Sequence, residues 1–489
     1  MAYSRPYNLR KTCLILLLYF GVSTASQAQH IWIDPRVDSR VTVTDNALLT
    51  LKDRQSDAVF NVSPGLNVRI QGGRTRGSID YNLDYLYYAS DGGTEVRQSL
   101  FGTLDSEVWK DHLTLGARAS VQQQFLDQRG SLSNNFANRT SNRRLLQTYT
   151  GSAILKGGMR DFADWRVNYR YGISKTPADN LNDETLTVNF SDTTSHELNA
   201  SIGSGERFNY VSWRVFANSR RVIRSLDVND FRTEKVSAEL TYKFNRFIAV
   251  TGSVNVSSND FQSATLSQEG FGWEAGFRWT PGRKLDISLS TGREGKREIW
   301  YAALQYFFSA RVVFNGNYQD LITANTLVTN NNIQSFRSDP TGGLIDGQGR
   351  PVDEVDPRFS YSDVDFRRRV AQGNFTWRHK RTEVSFGGNA EWRTFDNESG
   401  TAASWGLSGR FKHKMDRHTT LSGRISYLRS SFEGSTRVDN YIQASLDWTK
   451  TISRQFKAVI GYKHSDRQSN EPGADLEENS LTFYIRGTF

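Results

Sequence analysis

Seven histidines are the first candidates for chemistry: His30, His112, His196, His379, His413, His418 and His464. A base and a nucleophile on one face of a strand need the spacing His-x-Ser, and none of the seven begins such a pair. A Ser–His contact across strands stays open, but nothing in the sequence selects one, so the expectation is that the chain is not an enzyme. His379 and His413 share parity with Trp377 and Phe411, which assigns them to an interfacial aromatic belt. Asp339, Asp346, Asp353, Glu354 and Asp356 could attract calcium, yet their spacing fits neither an EF-hand nor a nonapeptide repeat and reads as a solvated loop. The glycines of "GSG" at Gly203 and "GQG" at Gly347 read as loop glycines, with no phosphate cradle. No cofactor or metal is expected. The remaining chemistry is charge. Arg378, Arg393, Arg410, Lys412, Arg424, Lys457, Lys463 and Arg486 fall on the polar parity of their segments, against Glu383, Glu391 and Asp447. Such a set lining a pore favours anions. The alternative is that these charges pair across neighbouring strands.

The elements that must position these residues alternate with period 2. The chain stops on "LTFYIRGTF", where Leu481, Phe483, Ile485, Gly487 and Phe489 oppose Thr482, Tyr484, Arg486 and Thr488. An apolar face kept up to the last residue suits a closed barrel in lipid, whose last strand pairs with the first, and Phe489 would serve as an assembly signal for the β-barrel assembly machinery. Reading backwards, strands are expected near 456–466, 441–452, 419–430, 404–414, 382–395 and 367–380. Tight turns near Ser453, Asp416 and Lys380 interleave with longer polar loops near Glu471, Gly434 and Ser399. Five further tight turns fall at Gly72, Lys110, Ser204, Asn245 and Pro281. The reading is an all-β, up-and-down antiparallel barrel of about 22 strands, within a range of 16 to 22, and an even count puts both termini in the periplasm. Pro64, inside "FNVSPGLNV", should force a bulge or an interruption.

At the other end, Arg5, Arg10 and Lys11 precede an apolar run from Leu14 to Val22 and a small-x-small site at Ser26-Gln27-Ala28. This predicts a signal peptide over 1–28 and one barrel domain over 29–489 in the outer membrane of a Gram-negative bacterium. Cys13, the only cysteine, lies in that signal, so disulfides, zinc–thiolate sites and a lipidated mature N-terminus are excluded. Mean hydropathy is −0.58, yet the chain carries 29 Phe, 20 Tyr and 11 Trp. A lipid-facing barrel with a wet lumen reconciles the two. Removing the three positive charges of Arg5, Arg10 and Lys11 from +9 leaves +6. That charge is spread over many strands, which argues against nucleic acid. The first alternating strand is expected at about Val37, leaving no room for an N-terminal plug. A long connection, 321–366, would then be the in-chain constriction or an extracellular loop.

The stretches "RVDSRVTVTDNALL", "SDAVFNVSPGLNVRIQGGRTRGSIDYNLDYLYYASD", "DEVDPRFSYSDVDFRRRVAQGNFTW" and "GYKHSDRQSNEPGADLEENSLTF" resemble the PEP-CTERM (exosortase) system-associated outer-membrane β-barrel family, itself similar to β-barrel porins of exopolysaccharide loci. They lie at both ends and in the last third of the chain. The resemblance implies a channel serving exopolysaccharide or surface-protein export, with anionic polysaccharide and a periplasmic export component as partners. It supplies no catalytic residues. A structural or adhesin-like barrel without transport is the other reading, and an outer-membrane hydrolase a third.

Overall fold

The computed structural model describes residues 30–489 apart from 51–52, 126, 141, 177–189, 227, 262–265, 268, 339–343, 346–360 and 397–399. The expected signal peptide, the five candidate calcium ligands and Gly347 lie outside the described residues.

Twenty-two strands form one closed antiparallel sheet. They are β1 (His30–Thr44), β2 (Asp57–Gln71), β3 (Thr75–Tyr88), β4 (Thr94–Trp109), β5 (Leu113–Phe125), β6 (Arg143–Met159), β7 (Ala163–Lys175), β8 (Thr193–Ser204), β9 (Val211–Arg224), β10 (Phe231–Lys243) and β11 (Ile248–Asn259). The second half comprises β12 (Gly270–Trp279), β13 (Leu285–Glu294), β14 (Arg297–Ser309), β15 (Val312–Thr323), β16 (Phe366–His379), β17 (Thr382–Phe395), β18 (Thr401–Lys414), β19 (Thr419–Ser431), β20 (Val438–Thr451), β21 (Phe456–Ser469) and β22 (Leu476–Thr488). Each pairs with its sequence neighbours. The ring closes where β1 meets β22, from Arg36 opposite Thr488 to Thr44 opposite Ser480, and the Phe489 N–H donates to Pro35 O at 2.9 Å. A helix, α1 (Asn325–Ser335), follows β15, and a two-residue ladder joins Arg337–Ser338 to Leu344–Ile345.

The barrel is inside-out relative to a soluble core, as a wall in lipid requires. In β22, Leu481, Phe483 and Ile485 are 40–52% exposed, whereas Glu478 and Ser480 on the other parity are buried. Strands spaced about 4.8 Å and tilted by about 40° enclose a tube on the order of 40 Å across for this strand number.

All eight tight turns expected from the sequence join adjacent strands at one end of the ring. Lys380, Asp111 and Arg160 take positive φ in such turns (49°, 62° and 53°). The opposite end carries the longer connections, although β13 and β14 are joined there by Gly295 and Lys296 alone, with Gly295 at φ 56°. The shorter turns mark the periplasmic end.

Two expectations are corrected and one is met in part. The first strand begins at His30, not near Val37. Of the two outcomes expected at Pro64 the bulge is absent, while an interruption is present on one side only: β2 pairs with β1 without a break, and with β3 Ser63 and Pro64 drop out of the ladder, Val62–Tyr85 and Gly65–Asn82 keeping one register. Proline removes an N–H from the ladder, and the β1 side of the strand carries the pairing past it. The register shifts lie instead at 107–109 and 307–309, beside periplasmic turns. Gly203 is not a loop residue but the penultimate residue of β8.

Candidate functional site

Two segments of the chain itself enter the lumen at its extracellular end. The first is α1, at the start of the long connection. Its sequence, "NTLVTNNNIQS", is rich in residues of poor helix propensity, and its N-cap Ala324 makes no side-chain cap bond. Tertiary contacts hold it. Leu327 joins Val222, Phe231, Leu266, Ile322 and Ala324 in a buried cluster, and Val328 packs on Phe366, Phe395 and Ala402. From that anchorage the helix and its C-cap residue Phe336 reach strands as far as eleven places round the ring from β15. Thr326 Oγ1 donates to Thr193 Oγ1 (3.0 Å), Asn330 Nδ2 to Ser195 Oγ (2.8 Å) and Gln334 Nε2 to Thr150 Oγ1 (3.0 Å). Arg170 donates to Asn331 Oδ1 (2.7 Å), and Phe336 meets Phe101 at 5.5 Å. Gly172 makes the approach possible, because a Cβ there would lie 2.7 Å from Asn330 Nδ2.

The second filler is the β5–β6 connection, described over 127–140 and at Asn142. Asn142 organises its base, donating to Asp127 O (2.7 Å) and Ser131 O (3.2 Å) and accepting from the Asp127 N–H (2.8 Å). The connection has little backbone pairing of its own, so its carbonyls need donors. The wall supplies them. On one side Arg437 donates to Arg129 O (3.1 Å), Tyr441 OH to Leu132 O (3.2 Å) and Lys463 to Asn134 O (2.8 Å), and Arg467 donates to Gly130 O. On the other side Arg143 donates to the carbonyls of Asn135, Phe136 and Asn138 (3.0–3.2 Å). Arg97 donates to Phe136 O and Asn138 O, and Tyr88 OH to Ala137 O (2.9 Å). Glu478, 2% exposed, accepts from Ser133, from Asn135 (2.7 Å) and from Thr44 (2.7 Å). It has no ion pair among the described residues. The segment thus bridges β3–β6 to β20–β22 across the mouth.

The eight cations expected along the pore divide by surroundings. Arg393 is buried, paired with Glu391 at 2.9 Å and bonded to Asn325 of α1 at 3.1 Å. Arg486 pairs with Asp38 at 2.9 Å, and Arg378 with Glu383 at 3.1 Å on exposed ends. Lys463 holds the β5–β6 connection. Arg410 and Arg424 are register partners, Lys412 lies opposite Glu383 and Ser422, and Lys457 lies opposite Arg486. Cross-strand pairing therefore accounts for part of the set. Asp447 sits beside Gly461, where a Cβ would lie 2.5 Å from its Oδ1. Other inward ion pairs include Arg36–Asp80 at 2.6 Å and Arg170–Glu197 at 2.5 Å, and at the extracellular edge of β13–β16 a buried chain runs in which Glu294 meets Lys235 and Arg297, and Asp320 meets Arg297 and Arg367.

His379 stacks on Trp377 at 5.9 Å, and His413 bonds Thr382 Oγ1 at 2.8 Å beside the same turn, in keeping with a belt. Of the terminal residues, Leu481, Phe483, Ile485 and Phe489 are exposed on the lipid-facing side, and Phe489 meets Phe456 at 6.0 Å. The β5–β6 connection escaped the sequence reading. Its available signal was the row of Arg97, Arg143, Arg437 and Arg467 at the extracellular strand ends.

Residues 365–489, which are β16–β22 with the residue before them, match a family model described as "Putative beta-barrel porin 2". No curated protein matches the sequence. Among solved structures, the FrpB iron transporter from Neisseria meningitidis (F3-3 variant) is similar at 9% identity over 94% of this chain and 81% of that one, with a TM-score of 0.51. A mutant of the ferric enterobactin receptor PfeA from Pseudomonas aeruginosa gives 10% identity, 94% and 80% coverage and a TM-score of 0.48. Identities this low speak to the fold alone. Closed 22-strand topology, a lipid-facing apolar wall and the porin match over the last seven strands together make the chain a porin-like outer-membrane β-barrel.

Proposed function

We propose that the barrel is a gated outer-membrane channel that passes anionic polymer, in the export of exopolysaccharide or of surface proteins belonging to an exosortase system. It works by transport, without a catalytic step. The observation that carries this reading is the manner of closure: around small apolar anchors such as Leu327 and Leu132, both fillers are docked on lumenal side chains by many hydrogen bonds, which water can replace when the segments withdraw. The anionic cargo is supported by Arg410, Lys412 and Arg424, which share one wall through the β18–β19 register. The family resemblance supports the export setting, with a periplasmic export component as the natural trigger. Phe489 serves as the signal to the assembly machinery. Single-channel recording in planar bilayers tests the proposal. The wild type should be closed or of low conductance, and a barrel with both fillers shortened should conduct with anion preference. Reversing Arg410, Lys412 and Arg424 to Glu in that open barrel should move its reversal potential toward cation selectivity. A shortened, correctly inserted barrel that stays closed would favour the structural, adhesin-like reading, to which the many buried bonds of the fillers also lend weight.

A further inference from the structure

We propose that the outer face of β16–β19, at its extracellular edge, binds a phosphate-bearing lipid of the outer leaflet, with Arg369 and Arg429 as the phosphate ligands. The lipid-facing parity of these four strands is apolar through its middle: Phe386, Trp405 and Ile425 are 53%, 45% and 60% exposed. Charge appears on it only where β16 begins and β19 ends. Arg429 lies opposite Trp405 in register, and Arg369 opposite Trp392 and Asp320. The neighbouring Arg367 is taken by Asp320, with contacts at 2.9 Å and closer. Arg369 and Arg429 have no carboxylate partner among the described residues, and the Arg369 Nε is buried without a hydrogen bond.

A guanidinium on a lipid-facing wall is costly unless it reaches the headgroup layer, and there the anion it meets is phosphate, which it binds in a fork. The two arginines stand three strands and two residues apart, on the order of 15 Å between backbones at ordinary strand spacing, with long side chains that can converge. Trp405 and Tyr427, 5.3 Å apart, and Trp392 lie between them as an interfacial aromatic surface. This arrangement suits a headgroup carrying two phosphates on a disaccharide, as lipid A does, better than one with a single phosphate.

The test uses the full-length barrel folded in detergent, with native mass spectrometry of its complexes with purified bisphosphorylated lipid A or with the same lipid dephosphorylated. Wild type should prefer the phosphorylated form by about tenfold or more, as two charge-assisted contacts would give. The Arg369→Gln/Arg429→Gln double variant should lose that preference to within about threefold, while still shifting on a heat-modifiability gel as a folded barrel. Inorganic phosphate alone should not compete at millimolar concentration. Equal binding of the two lipids by wild type, or an unchanged preference in a folded double variant, would overturn the proposal.

Discussion

The two fillers occupy the same mouth but are held differently. The β5–β6 connection is irregular backbone, and the barrel grips it by its carbonyls through fixed arginines, a lysine and two tyrosines. Helix α1 satisfies its own backbone, so the wall facing it offers mostly neutral partners: Thr193, Ser195 and Thr150 against Thr326, Asn330 and Gln334. Irregular chain inside a barrel demands donors, whereas a helix demands only shape and a few side-chain bonds. The connection is therefore the tighter of the two, and α1 the easier to release.

The comparison can be broken most directly by removal. Replacing 128–141 with a short Gly-Ser link should raise unitary conductance several-fold and sensitise cells to large antibiotics. Replacing Asn325–Ser335 in the same way should give the smaller increase, because the connection is the longer of the two segments and is bonded to the wall at more points. The reverse order, in barrels of equal insertion, would make α1 the main occluder.

A finer test loosens the grip. Glu478→Gln keeps the shape but converts one acceptor oxygen into a donor facing groups that already donate, costing about 1–3 kcal/mol of docking. Hydrogen exchange should accelerate across 131–138 and stay unchanged in α1. Equal acceleration of both would mean that the fillers move as one body.

On the helix side, Gly172→Ala places a methyl 2.7 Å from Asn330 Nδ2 and 2.6 Å from Ser195 Oγ. Overpacking of this kind costs about 1–3 kcal/mol. It should displace α1 and give a modest rise in open probability, with exchange at 131–138 unaffected. No change in either would place the Asn330–Ser195 contact outside the docking interaction.

The smallest effect concerns pH. Asp365, at the end of the long connection, is pushed up to about 6, first by burial, with Asp396 and Asp363 adding to the rise and the Arg224 guanidinium opposing it. The buried form thus prefers the proton. Its contribution to docking is fully present below the ordinary carboxylate pKa of about 4 and is lost as pH rises through 6. Docking of 361–365, followed by exchange, should weaken slightly from pH 4.5 to 7.5, and Asp365→Asn should flatten that slope. A wild-type slope of opposite sign would show that the ion pair with Arg224 outweighs burial.

The strand count, the positions of the last seven strands and the eight tight turns were legible in the sequence. Period-2 alternation at a lipid wall leaves each residue only one acceptable side, so local pattern suffices. Leu481, Phe483 and Ile485 could be assigned without knowing what surrounds them. The sequence also located the long connection and gave grounds for seeking the constriction there. It did not reveal α1, because "NTLVTNNNIQS" has neither the propensity nor the capping of a helix and folds only on the surfaces that receive it. Nor did it reveal that the polar residues of 127–142 enter the lumen, since polar loops inside and outside a wet barrel read alike. Whether a lumenal cation such as Lys463 faces open water or a backbone carbonyl depends on residues more than three hundred positions away. The wall was determined by the chemistry of each residue with its solvent, and the contents of the lumen by contacts that exist only once the ring has closed.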